Sequence, residues 1–322
     1  VVAGLNRWFA VAVGPAVTYG VVSLAIVGFG AIGIRWNALS ALLTFTVVIA
    51  LALGYRVLPH RRRGAAAAPP SRPNWHRDAP ECVAAAGVIF GALAIGVAAW
   101  RGMPNWQSIP SNWDAVWHAN TIRWILDTGQ ASPTHMGELR NVETQAALYY
   151  PSTFHALAAV FSQITGAAPT TAYTLSSLAA AVWLFPVAAA SLTWHLLIGR
   201  TTRWRTAGAA ATAAALSASF TAVPYVEFNT ASMPNMAAFG IAVPTFVLIT
   251  STLAHRDRLP LAVLALIGVF SVHIIGGVVV VTFLAAWWLL EALPHPVLGR
   301  GRDFLTLLGV AVPTLAVLLP QF

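Results

Sequence analysis

Asp114 and His118 are the side chains whose type and spacing could most directly do chemistry, in the run Trp113-Asp-Ala-Val-Trp-His118. Four residues apart on a helix, a carboxylate and an imidazole share a side. That geometry suits proton abstraction from a hydroxyl or the binding of a metal. Glu138 and Glu143 follow in the same polar segment, residues 101–150, and with Asp114 could form a hard-oxygen site for Mg²⁺ or Mn²⁺. Arg123 and Arg140 offer guanidinium forks that match phosphate oxygens. A further acid, Glu227, lies in Tyr225-Val-Glu-Phe-Asn229 at a membrane edge, the better placed second acid than either loop glutamate. His155 follows a Tyr149-Tyr150-Pro151 run, and His273 sits inside an apolar stretch, where an ionisable residue is a functional candidate by default.

Each of these residues also has a purely structural reading. Ser111-Asn-Trp-Asp114 has capping-box spacing, which would make Asp114 the acidic partner of a helix cap and His118 a solvated surface residue. Arg123 and Asp127 are four apart, as in a surface ion pair, which leaves Arg140 as the leading phosphate candidate. Glu138 and Glu143 read equally as solvated loop carboxylates, and His273 as a neutral histidine bonded to a neighbouring helix.

The elements that must position these groups are membrane helices. With 58% hydrophobic residues, 9% charged and a mean hydropathy of +0.72, the chain has the composition of an all-α polytopic membrane protein, a bundle of about 8–11 helices. Apolar runs place spans near 8–33, 38–58, 82–100, 173–198, 206–226, 235–254 and 304–320. Residues 259–290 are too short for two crossings and too long for one, so a broken or re-entrant pair bent at Gly276-Gly277 is expected. No fixed-period repeat and no barrel-like alternation is present.

All basic residues are arginine, which is the codon usage of a GC-rich genome such as that of an actinobacterium. The formal charge of +8 reflects arginines clustered between spans, so it argues orientation and membrane lipid contact, not nucleic acid. If segment 152–166 does not cross, only Arg35, Arg101, Arg123 and Arg140 fall outside, and the positive-inside bias prefers that arrangement. Residues 101–172 and 227–234 then share the outer face of a plasma membrane. The organisation reads as an N-terminal helix pair (1–58), a basic, Pro-rich cytoplasmic linker (59–81, with Arg61-Arg-Arg63 and Pro69-Pro70) and a transmembrane core (82–322). Cys82 alone permits no intrachain disulfide. The chain opens at Val1 without a leader and stops at Gln321-Phe322 after an apolar segment, as a fragment truncated at both ends would.

Within the outer segment a helix is expected from about 112 to 127, ended by Asp127-Thr-Gly129. Trp113, Val116, Trp117 and Trp124 fall broadly on one side, as in a helix lying in the headgroup layer.

The order of parts resembles the GT-C superfamily of integral-membrane glycosyltransferases that use polyprenyl-phosphate sugars: a span, an outer loop opening with Asp114 near His118, an amphipathic helix ending in Gly129, then Tyr149-Tyr150-Pro151 leading into an apolar segment. The match covers roughly residues 82–200. Here a single Asp is followed by Ala where many members carry two adjacent acids, and two helices precede the span that would be first. The resemblance implies transfer of a sugar, with inversion at its carbon, from a polyprenyl-phosphate donor to an envelope glycan or lipid acceptor. Asp114 takes the place of the loop acid as general base or metal ligand with His118 in support, and Tyr149, Tyr150 and Pro151 that of the helix opening. Two other classes are weighed. A transporter or flippase is suggested by broken helices at 259–290 and by the Pro244-containing span, but little charge lies deep in the spans and no inverted repeat is visible. A non-catalytic scaffold of an envelope assembly would use the loop to hold a partner.

Overall fold

The computed structural model describes residues 5–62, 75–140, 143–144, 146, 148–294 and 300–321. The linker positions Arg63, Pro69 and Pro70 lie outside the described residues. The fold is all-α, a polytopic membrane protein, with no strand among the described residues.

Helix α1 (Arg7–Ala31) starts where the Asn6 side chain accepts from the Phe9 amide, 2.8 Å away. Then follow α2 (Ala38–Arg62) and α3 (Trp75–Gly102). The polar segment carries α4 (Trp113–Thr128), the single turn α5 (Gly137–Arg140) and α6 (Thr153–Thr165). Helix α7 (Pro169–Ala179), one π-helical turn (Ala180–Leu184) and α8 (Phe185–Leu197) run as one span, and α9 (Arg203–Leu216) returns. The chain bends by 46° between 203–219 and 221–229, the second part ending in the short α10 (Glu227–Asn229). Helices α11 (Met233–Ser251), α12 (Leu259–Val272), α13 (Ile274–Trp287) and α14 (Arg300–Leu318) complete the bundle.

Six helices among the described residues are long and apolar enough to cross a membrane, or seven if the bent pair is one span. The lower end of the sequence count of 8–11 is reached by adding α2 to the seven, and the upper part only by counting α6 and α12 as well. Ala38–Gly54 is a shorter apolar helix, while α6 with 13 residues and α12 with 14 reach only about 20 Å against a hydrocarbon core of about 30 Å.

Ion pairs mark one end of the bundle. Arg7 meets Asp78, Arg203 meets Glu81, and Arg200 meets Glu291 at 2.7 Å, joining the starts of α1, α3 and α9 to the ends of α8 and α13. The opposite end carries the polar segment. There α6 lies against the α1–α2 turn, with the Trp36 indole N–H donating to the Ala156 carbonyl at 3.0 Å and the Ala38 amide to the Gln163 side-chain oxygen at 2.6 Å. Segment 152–166 therefore folds back at that end, the arrangement that the arginine distribution prefers.

Small residues set the core packing. A Cβ at Gly20 would overlap the Leu264 carbonyl, so α1 and α12 touch backbone to backbone. The expected break in 259–290 is present but displaced. It falls at His273, whose backbone is extended (φ −163°, ψ 137°) between α12 and α13. Gly276 and Gly277 are helical, and a Cβ on either would strike Ala238 or Phe270. They let α13 close onto α11 and α12, and the His273 ring nitrogen Nδ1 accepts from the Ile275 amide at 3.3 Å as the cap of α13.

Candidate functional site

Helix α4 forms within one residue of the expected bounds. Its cap is Asn112, not Ser111: the Asn112 side chain accepts from the Asp114 amide at 3.0 Å. The capping-box reading of Asp114 is thereby corrected, and its carboxylate, exposed, accepts no hydrogen bond among the described residues. Gly129 ends the helix in the left-handed region (φ 74°), and its carbonyl takes the Trp36 amide at 2.7 Å, docking α4 on the α1–α2 turn.

The buried face of α4 is Ala115, His118, Ala119, Ile122 and Ile125, packed on α6 and α7. The tryptophans do not form one lipid-facing stripe. Trp113 and Val116 are exposed, whereas Trp117 meets Tyr150 edge-on at 5.5 Å and Trp124 packs against the core. Apolar surface closer than lipid, on α6 and the Tyr150 segment, covers them.

His118 is 4% exposed and His155, from the first turn of α6, is 0% exposed. Their rings meet with His118 Nδ1 and His155 Nε2 2.8 Å apart. His155 Nδ1 is sealed from solvent without a partner. A buried N–H without an acceptor is rarer than an acceptor left unused, so the fitting tautomer has His155 Nε2–H donating to His118 Nδ1. His118 is then protonated on Nε2. Tyr173 from α7 stacks on His118 at 5.6 Å, and Tyr150 flanks His155 at 6.0 Å.

Burial holds both imidazoles in the neutral form. His118 is lowered to about 4, first by desolvation and then by the charge of His273. His155 is lowered well below the ordinary value by desolvation and then by His118. The charge of His273, at the α12–α13 break, is thus felt at His118. Burial raises Tyr149 to about 12, and raises Tyr150, where a hydrogen bond from Trp117 acts against it, the Asp114 charge with it and the Arg140 charge against it. The charge of Asp114 also reaches Tyr173.

So the structure brings His118 together with His155 and Tyr173, and Tyr150 with His155 and Trp117, with Arg140 over Trp117, while the charge of Asp114 acts on Tyr150 and Tyr173 and that of His273 on His118. Asp114 and His118 do not work as the expected surface pair. His118 turns inward to His155, and Asp114 is exposed. Arg140 lies with its guanidinium carbon 5.8 Å from the Trp117 ring centre. The chain around it is held by the Tyr150 amide on the Pro133 carbonyl at 3.0 Å and the Ser152 hydroxyl on the Ala131 carbonyl at 2.6 Å.

Other expected residues fall elsewhere. Arg123 pairs with Asp127 at 2.7 Å, both largely exposed. Glu138 is taken by His135 at 2.7 Å, and Glu143 is exposed. The proposed oxygen set Asp114, Glu138 and Glu143 is not assembled: among the described residues no group of three or more His, Cys, Asp or Glu side chains is placed to hold a metal ion. Glu227 accepts from the Asn235 amide at 3.4 Å and sits next to a cavity, not in the histidine cluster. Tyr173 was not singled out from sequence. Nothing in its apolar helix distinguishes it.

No curated protein and no solved structure matches the chain. Residues 1–321 match a family model described as Family of unknown function (DUF6541), and the chain belongs to that family.

Proposed function

We propose that the protein is a membrane glycosyltransferase that moves a sugar from a polyprenyl-phosphate donor to an envelope glycan or lipid at the extracytoplasmic face of a plasma membrane. The observation that carries this reading is the Asp114 carboxylate. It is exposed at the loop-bearing end, its charge acting on Tyr150 and Tyr173 of the buried aromatic and imidazole cluster, without a hydrogen-bonded partner among the described residues.

In this reading Asp114 accepts the proton of an acceptor hydroxyl as that oxygen bonds to the anomeric carbon. The bond from that carbon to the donor phosphate breaks on the opposite side, releasing polyprenyl phosphate and inverting the centre. Arg140 balances the phosphate charge, with the fork geometry suited to its oxygens. The neutral His118–His155 pair keeps the α4–α6 contact dry and fixed beneath Asp114. Arg123 takes no part, and no step uses a metal. The arginines gathered at the opposite end support an extracytoplasmic site by the positive-inside bias.

The test is transfer of labelled sugar from a polyprenyl-phosphate hexose or pentose to an alkyl glycoside by the purified protein in nanodiscs. Transfer abolished by Asp114→Asn, with thermal unfolding unchanged, is expected. Equal turnover by the variant ends the proposal. One observation favours a second reading, a lipid or small-molecule transporter: the break at His273 is of the kind that lines midplane sites. Substrate movement in proteoliposomes that is lost on His273→Ala but unaffected by Asp114→Asn would select it.

A further inference from the structure

A cavity of about 530 Å³ opens at the loop-bearing end, apart from the histidine cluster. Its floor is Ile95, Ala98 and Ala99 of α3 with Ala181 of the π-helical turn. Its rim carries the rings of Tyr225 and Phe228 and the residues Ser108, Ser111 and Asn229. Two irregular stretches converge on it, the π turn and the chain kinked at Val223 (φ −122°, ψ 124°), and such departures from α geometry recur at functional sites.

The walls are fixed. The Tyr225 hydroxyl donates to the Ala218 carbonyl at 2.7 Å, and the Thr174 hydroxyl donates to the Ser108 carbonyl at 2.8 Å. By contrast the side chains of Ser108, Ser111 and Asn229 make no hydrogen bond among the described residues, and no lining residue carries a charge. The volume is that of a small-ligand site. A charged ligand would lose hydration here with no counter-charge to replace it. A wholly apolar one would leave the two hydroxyls and the amide unmatched. An uncharged ligand with several hydroxyls and one apolar face satisfies both, and the two rings offer stacking surface for that face.

We infer that this cavity binds a neutral glycosyl unit, the acceptor end of the reaction proposed above, on which the inference rests. Ser111 precedes Asp114 by three residues, so the Cα of this rim residue lies within about 11 Å of the Cα of Asp114. A hydroxyl of a sugar seated in the cavity is thereby brought towards the base.

Binding of a panel of hexyl glycosides to the protein in nanodiscs, measured by calorimetry against hexanol and hexyl phosphate, tests this. The glycosides are expected to bind at least about tenfold more tightly than either control, the range set by one or two satisfied hydrogen bonds. Ala98→Phe, which fills the floor, and Ser111→Ala/Asn229→Ala, which removes rim polarity without altering packing, should each weaken binding about tenfold. Asp114→Asn should leave it intact. Hexanol binding as well as the glycosides, or glycoside binding indifferent to both sets of changes, overturns the inference. Glycoside binding at this cavity without turnover of any donor keeps the inference and ends the enzymatic reading. Sugar transfer with an acceptor KM unmoved by Ala98→Phe does the reverse.

Discussion

The two ends of this bundle use charge differently. At the arginine-rich end Asp78, Glu81, Glu291 and Asp303 each meet an arginine, and these pairs tie helices or helical turns together. At the loop-bearing end Asp127 and Glu138 are held by near neighbours in sequence but Asp114 has no such partner, while two imidazoles are buried as neutral groups and a cavity is lined without charge. The first end uses its ionic groups as structure. The second leaves the Asp114 carboxylate without an ionic partner, beside neutral imidazoles and with the charge of Arg140 acting on the same Tyr150.

The contrast breaks most sharply at Asp114. Asp114→Asn should lower sugar transfer by about 10²- to 10⁴-fold, the range of general-base contributions, with an unchanged unfolding midpoint. A large loss of stability would instead place Asp114 with the structural carboxylates. Next in size is His155→Ala, which leaves His118 Nδ1 without its donor and opens a void; about 2–4 kcal/mol of destabilisation by denaturant titration is expected.

The pH response sharpens the same point. Because His118 is lowered to about 4, the unfolded chain takes up a proton between about pH 6.5 and 4 that the folded chain does not. Stability should therefore fall across that window as pH decreases, by about 3 kcal/mol for this group. His118→Gln should flatten the slope, and a variant that keeps it would remove His118 as its source. Smaller again is Arg140→Ala, expected to raise the KM for the phosphate donor about tenfold with kcat little changed, while Arg123→Ala leaves both alone. The smallest effect belongs to the opposite end. Arg200→Ala should cost under about 1 kcal/mol, since its pair with Glu291 is half exposed.

Much of the fold was legible in sequence because membrane helices are long, uninterrupted apolar runs, and the α4 bounds followed from Gly129 and a polar cap. The shortness of 152–166 and the arginine distribution together placed α6 correctly at the loop-bearing end. The hinge at 259–290 was misplaced by three residues because paired glycines signal close packing as readily as bending, and here Ala238 and Phe270 decide between them. The site was legible in its parts but not in its pairing. Helical spacing joins Asp114 to His118, whereas the actual partner of His118 lies 37 residues away and is fixed by the packing of α4 on α6. Tyr173 and the cavity left no periodic trace, since both arise from the tertiary meeting of α3, α7 and the 224–229 turn.

The backbone contact at Gly20 carries a consequence for anyone dissecting this molecule. Because α1 lies flush against α12, and α12 ends at His273, whose charge is felt at His118, α1 seats the helix that carries that residue. A chain expressed without its first 62 residues would lose the wall that seats α12, and a bulky residue engineered at position 20 would act at a distance, displacing the histidine tip without touching it.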